Sequence, residues 1–167
     1  MPLSYEKGNY DRISTSFTRP NDGNIYAVSD AVSNSTSAPV ALTFASVVRS
    51  AGNSGRILTA RHIKSSTTTA SASFRLWLYR TAPTPVNDNA QFPLLWANRT
   101  NRFGFIDFNH TIAGTGSDSS SSMVSFVGLD FITDSSLVDI YGLVMANQAY
   151  TPSALEQHFF ELGIEVN

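Results

Sequence analysis

The chain has no cysteine, which excludes disulfides, zinc–thiolate sites, iron–sulfur clusters and thiol nucleophiles. Charge is scarce as well. Asp, Glu, Lys and Arg make up 14% of the 167 residues, where roughly a quarter is usual. A coiled coil or a solvated helical bundle needs far more. The net charge of −2 and the sequence pI of about 5.8 provide no basic surface for a phosphate backbone, so no nucleic-acid partner is expected. No run is long and apolar enough to span a bilayer, and no membrane partner is expected. The start, Met1-Pro2-Leu3-Ser4-Tyr5-Glu6-Lys7, lacks the charged end and apolar run of a secretory signal. No repeat of 20–50 residues is present, which excludes propellers and solenoids.

What fills the chain is Ser (23), Thr (15) and Asn (12), on a background that is 42% hydrophobic and 11% aromatic. That is enough apolar material for one packed core. Residues 1–23 read as an N-terminal arm with little core of its own, closed by Pro20 and the turn Asn21-Asp22-Gly23. Tyr5, Tyr10, Ile13 and Phe17 are its candidate docking anchors, since a merely solvating tail has little use for four large apolar groups.

Residues 24–167 read as one β domain. Strand candidates with period-2 alternation are 24–32, 39–48, 56–63, 67–80, 103–112, 123–132, 136–146 and the closing run Phe159 to Val166. In the fourth, Phe74, Leu76 and Leu78 face one way and Arg75, Trp77 and Tyr79 the other, so both sheet faces are covered there. Residues 114–122 read as a Gly/Ser loop. Pro152 to Glu156 could form one helical turn capped by Thr151. The expected fold is an all-β antiparallel sandwich, jelly-roll-like, with an immunoglobulin-like sandwich as the alternative.

No specific catalytic set is present. There is no Gly-x-Ser-x-Gly elbow, no phosphate-cradling loop and no His-Glu-x-x-His. His62 is out of phase with Ile57 and Ile63, the pattern of a solvated strand face. Asp107 and His110 are three apart and point to opposite faces of a strand, so they form no dyad. Glu156 and His158 share a face, but a metal would need a third ligand that the sequence does not supply. Asp107 and Asp130 could point inward without any sequence reason to pair. Asp130, Asp134 and Asp139 do not fit a calcium loop. No catalytic residue, metal or cofactor is expected. The three Asn-x-Ser/Thr sequons, at Asn34, Asn98 and Asn109, are no more than this composition yields by chance. Among the aromatics, Trp77, Tyr79 and Trp96 are the candidate interface, since exposed Trp and Tyr serve both as sugar platforms and as protein anchors.

The order of Ile57, the run FRLWLYRTAPTPVNDNAQF (74–92), Phe103-Gly104-Phe105-Ile106 and IYGLVMANQAYTPSALEQHFFELGIEV (140–166) resembles small virion proteins of tailed bacteriophages, of the head decoration or cement type. The likeness spans about residues 24–167 and is most specific at Asn87-Asp88-Asn89-Ala90 and from Tyr141 to Pro152. It implies a non-enzymatic structural protein on the outer surface of a phage head. Such a protein would be a homotrimer bound to the major capsid protein, with its arm reaching onto neighbouring subunits. A carbohydrate- or receptor-binding module on a phage particle is the alternative. An enzyme acting on glycans is the least supported class.

Overall fold

The computed structural model describes residues 9–111 and 117–166. Ten strands follow one another: β1 (Tyr10–Thr18), β2 (Ala31–Val32), β3 (Leu42–Phe44), β4 (Ser54–Lys64), β5 (Ser73–Tyr79), β6 (Arg102–Asn109), β7 (Ser120–Val124), β8 (Leu129–Ile132), β9 (Ile140–Ala146) and β10 (Gln157–Val166). They form two antiparallel five-stranded sheets. The first has the order β1-β10-β4-β7, with β8 pairing the other end of β4. The second has the order β2-β9-β5-β6, with β3 also on β9.

The sheets face each other across one apolar core. Phe74, Leu76 and Leu78 of β5, Ile106 and Phe108 of β6, and Ile140 and Val144 of β9 meet Ile57 and Ala60 of β4 and Phe160, Leu162 and Ile164 of β10. All are buried, and each large one is worth about 1.5–3 kcal/mol of transfer free energy. The alternation in β5, β9 and β10 runs as the sequence implies. The outer face of the second sheet carries a smaller cluster of Ala31, Tyr79, Phe92 and Leu143, with Trp77 and Val86 against it. Residues after β5 fold back to bring Val86 and Phe92 over that face, so the chain itself covers it.

Several sequence expectations change. Residues 10–18 are no detached arm: β1 pairs along its whole length with β10, from Tyr10 opposite Glu165 to Thr18 opposite Gln157. Ile13 and Phe17 pack against the main core. Of 24–32, only Ala31–Val32 is strand. The expected strand 123–132 is two, and the expected loop 114–122 ends in strand β7. Residues 112–116 of that loop lie outside the described residues. Residues 152–156 make a turn without helix, and among the described residues the one helical turn is a 3-10 turn at Trp96–Asn98.

The breaks have a common cause. Opposite Gly163 and Ile164 of β10, strand β4 places Thr59 and Ile57, leaving Leu58 as an extra residue. This β-bulge inverts the alternation of β4. Gly55 and Ile57 point inward before it, and Ala60, His62 and Lys64 after it. The interruption between β7 and β8, residues 125–128, lies beside the bulge, and Val127 N donates to the Leu58 carbonyl at 3.0 Å. Gly163 is held without a side chain for a steric reason: a Cβ there would stand 2.1 Å from the Tyr10 hydroxyl and 2.3 Å from Thr59 Oγ1.

Candidate functional site

The chemically capable side chains meet inside the core rather than on the surface. Inward positions of β4 after the bulge supply His62 and Lys64. Register sets His158 of β10 opposite Lys64, and Ser120 and Ser122 of β7 opposite Lys64 and His62. His110 follows β6, and Glu156 precedes β10. All are buried. His62 is thus an interior residue, and its expected place on a solvated face is overturned by the bulge.

These groups form a continuous chain. Ser120 Oγ lies 3.0 Å from His110 Nδ1. His110 Nε2 lies 2.9 Å from His62 Nδ1, and His62 Nε2 lies 3.0 Å from His158 Nδ1. His158 Nε2 stands 3.2 Å from Glu156 Oε1 in an oblique contact. The Tyr150 hydroxyl donates to Glu156 at 2.7 Å. Lys64 Nζ is 3.8 Å from Glu156 Oε2 and donates to the carbonyls of Ser66 and Thr68 at 3.1 and 2.5 Å. Rings seal the flanks: Phe160 stacks on His62 at 4.2 Å, and Phe17 on His158 at 5.0 Å.

Protonation follows from this geometry. Burial lowers the pKa of all three histidines, to about 4 for His110. They are neutral at pH 7. Burial pushes the Glu156 carboxyl up, but the His158 contact, the Tyr150 hydroxyl and the Lys64 charge outweigh it and bring it to about 2. Burial lowers the Lys64 ammonium, opposed by Glu156. An ionised Glu156 only accepts, so His158 carries its proton on Nε2. His158 Nδ1 must then accept from His62 Nε2, His62 Nδ1 from His110 Nε2, and His110 Nδ1 from the Ser120 hydroxyl. One carboxylate therefore fixes the tautomer of three rings.

Ser120 and His110 have the separation of a nucleophile and base, yet Ser120 is 1% exposed, and no substrate atom can approach it. The ring nitrogens spend their lone pairs on one another in a line. Among the described residues no group of three or more His, Asp or Glu side chains converges so as to hold a metal ion.

A second buried polar centre joins the segment after β1 to the Asn87-Asp88-Asn89-Ala90 motif. Arg19 Nη2 pairs with Asp88 Oδ2 at 3.0 Å, and neither side chain is exposed. The Tyr26 hydroxyl donates to Asp88 Oδ1 at 2.7 Å and accepts from Arg19 Nε. The Ser33 amide also donates to Asp88 Oδ1, at 2.8 Å. Burial and the Asp88 charge raise the Tyr26 phenol. This centre, too, is a closed structural clasp. The sequence signal for it was the motif itself, which carries the resemblance but gives no hint of Arg19.

The candidate residues read from sequence lie apart. Tyr5 falls outside the described residues. Tyr10 faces outward and bonds Thr59 Oγ1 at 3.2 Å, whereas Ile13 and Phe17 face the core. Tyr79 is buried under the chain's own loop. Trp77 is half-buried, flanked by the Arg75 and Arg102 guanidinium groups 5.3 and 5.2 Å from its ring centre, so its faces offer no free platform. Trp96 is 78% exposed. Asp107 and Asp130 point outward, in bidentate pairs with Arg75 and Arg56. On the outer face of the first sheet, Tyr10, Leu58, Thr59 and Phe126 line an open cleft of about 410 Å³. Phe126 there is 96% exposed, and Met123, on the same face, 64%. No family model matches the chain, and no curated protein matches it either.

Proposed function

We propose that the chain is a non-enzymatic structural protein of a phage head, a decoration or cement protein that docks on the outer surface of the major capsid protein lattice as a homotrimer. The observation that carries this reading is the contrast between interior and exterior. The histidines, Glu156, Lys64, Arg19 and Asp88 are consumed within the fold. The first sheet meanwhile displays Phe126, Met123 and Tyr10 to solvent, beside β1, which among the described residues pairs with β10 alone. Exposed apolar clefts and free edges are what an assembling protein covers. Weak contacts suffice when many copies bind one lattice.

A jelly roll is the finer reading of the fold. Its support is the strand order. With β2 and β3 taken as one strand and β7 and β8 as another, the sheets read first-eighth-third-sixth and second-seventh-fourth-fifth, the interleaving of two Greek keys.

The test is co-sedimentation with phage heads stripped of accessory proteins, using the parent chain and Phe126→Asp. Saturable binding at a copy number set by icosahedral symmetry, lost in the variant, is the expected result. No binding by the folded parent chain refutes the proposal. The second reading, a glycan-binding module, is favoured by one observation, the displayed Trp96 ring. A glycan array with the parent chain and Trp96→Ala decides it.

A further inference from the structure

The two sheets part where β4 begins and β5 ends, leaving an open mouth of about 480 Å³. That volume lies within the range of small-molecule pockets, about 300–1,000 Å³. Arg56, Arg80, Asp130, Phe131 and Ile132 line it, with Ser54 and Gly55 at its edge. The two arginines differ. Arg56 is neutralised by Asp130, with Nε to Oδ1 at 2.5 Å and Nη2 to Oδ2 at 3.1 Å. Among the described residues the Arg80 guanidinium has no acceptor and no ion-pair partner, and its Nε is buried without a hydrogen bond. Its main chain is fixed, since Arg80 N donates to the Asn101 carbonyl at 3.0 Å.

Among the described residues that line the mouth two cations face one anion, and Glu165 on β10 adds its charge beside Arg56, so Arg80 is the cation left for a ligand. An unpaired guanidinium presents a planar fork suited to a carboxylate. A phosphate dianion would meet Asp130 in the same mouth and be repelled by it. A single carboxylate carries half that charge and is repelled less, and on a hydroxylated body the repulsion is offset, because the lone pairs of Asp130 that Arg56 leaves free accept hydroxyl hydrogens. Ile132, 51% exposed, offers an apolar patch for the C–H face of a sugar ring.

We propose that this mouth is a binding site for a carboxylated sugar, with Arg80 donating to the carboxylate and Asp130 accepting from ring hydroxyls. The mouth shares Arg56 with the cleft at Phe126, but Arg80 and Asp130 line the mouth alone, so variants at Arg80 test it independently of capsid docking.

The experiment is a titration of the ¹⁵N-labelled full chain with glucuronate, glucose and inorganic phosphate. Expected are saturable shifts at the Arg80 Nε–H and at the amides of 54–56 and 130–132 with glucuronate, and none with glucose. Arg80→Gln should weaken glucuronate binding by roughly ten- to a hundredfold, the loss of a charge-assisted hydrogen-bonded pair. Arg80→Lys, which keeps the stem and the charge but not the fork, guards against a folding defect and should also weaken it. Three results overturn the proposal: no saturable shift with glucuronate, unchanged affinity in both variants, or phosphate binding as tightly as glucuronate.

Discussion

Acid should unfold this protein steeply, and the buried histidine chain sets the magnitude. His62, His110 and His158 all have folded-state pKa values below the ordinary 6.5. The sign follows directly. Above pH 6.5 the histidines are neutral in both states and contribute nothing. Below it the unfolded chain binds protons that the fold refuses, so stability falls as pH falls. At pH 5.5 a histidine that stays neutral in the fold favours the unfolded state by about 1.4 kcal/mol, or about 3 kcal/mol for His62 and His110 together, with His158 adding to it. At pH 4.5 those two reach about 5 kcal/mol, with His110 beginning to protonate in place near its value of about 4. Domains are stable by about 5–15 kcal/mol, so unfolding falls between about pH 4 and 5.5 for a domain of low to average stability. Glu156 adds to the loss only lower down, because its folded value of about 2 makes its contribution vanish as pH drops from about 4.5.

The assay is urea unfolding followed by tryptophan fluorescence and circular dichroism at half-unit steps from pH 7.5 to 4.5. The free energy should fall by about 3 kcal/mol per pH unit below pH 5.5, two protons' worth for His62 and His110, and more steeply with the share of His158. A slope of one proton or less, about 1.4 kcal/mol per unit, would show that the fold accepts the protons and would refute the sealed chain.

Other perturbations test the remaining structure. Asp88→Ala leaves the buried Arg19 guanidinium with only the partly exposed Asp22, at 3.3 Å, as an ion partner and should cost up to about 3–5 kcal/mol in denaturant unfolding, whereas Arg19→Met with Asp88→Leu should recover much of that loss. Gly104→Ala places a Cβ 2.6 Å from Leu129 Cδ2; overpacking of about 1–3 kcal/mol should lower the melting temperature. Deleting Leu58 removes the extra residue, so that Thr59 follows Ile57 in unbroken register with Ile164 and Gly163; Ile57, His62 and Lys64 then share one phase, the chain should keep a cooperative native-like melt, and loss of cooperative folding would show that the bulge does more than set the phase of β4.

The sheets were legible in the sequence where alternation runs unbroken. Phe74, Leu76 and Leu78 point inward and Trp77 and Tyr79 outward, as their period-2 spacing implies, and Phe160, Leu162, Ile164 and Val166 line the core. What was hidden lies beyond one extra residue. Extending the phase of Ile57 forward places His62 outside, and only the bulge at Leu58 reverses it. The same inversion separates Met123, which faces out, from Leu129 and Phe131, which do not. The chain from Ser120 to Glu156 is assembled from four places in sequence, and local spacing announces only its Glu156–His158 end. The outward position of Tyr79 was legible too, but its covering by Val86 and Phe92 depends on the path of a loop.

The polar core and the bulge explain each other. A sheet whose inner face is purely apolar tolerates neighbouring registers that exchange one aliphatic residue for another. Here β4 cannot shift by one residue against β10 without moving His62 and Lys64 out of the core. Glu156 would then keep Tyr150 and His158 but lose the Lys64 charge, and His158 would lose its His62 donor. An uncompensated buried ion costs several kcal/mol, so the histidine chain selects one register out of those the aliphatic residues would accept. The bulge is the condition for that selection. It lets the first half of β4 present Ile57 to the apolar end of the core and the second half present His62 and Lys64 to the polar end. The same strand thereby meets both halves of β10 on their own terms, and Gly163, the bulge's partner, leaves room on the outer face for Tyr10 to lie across it.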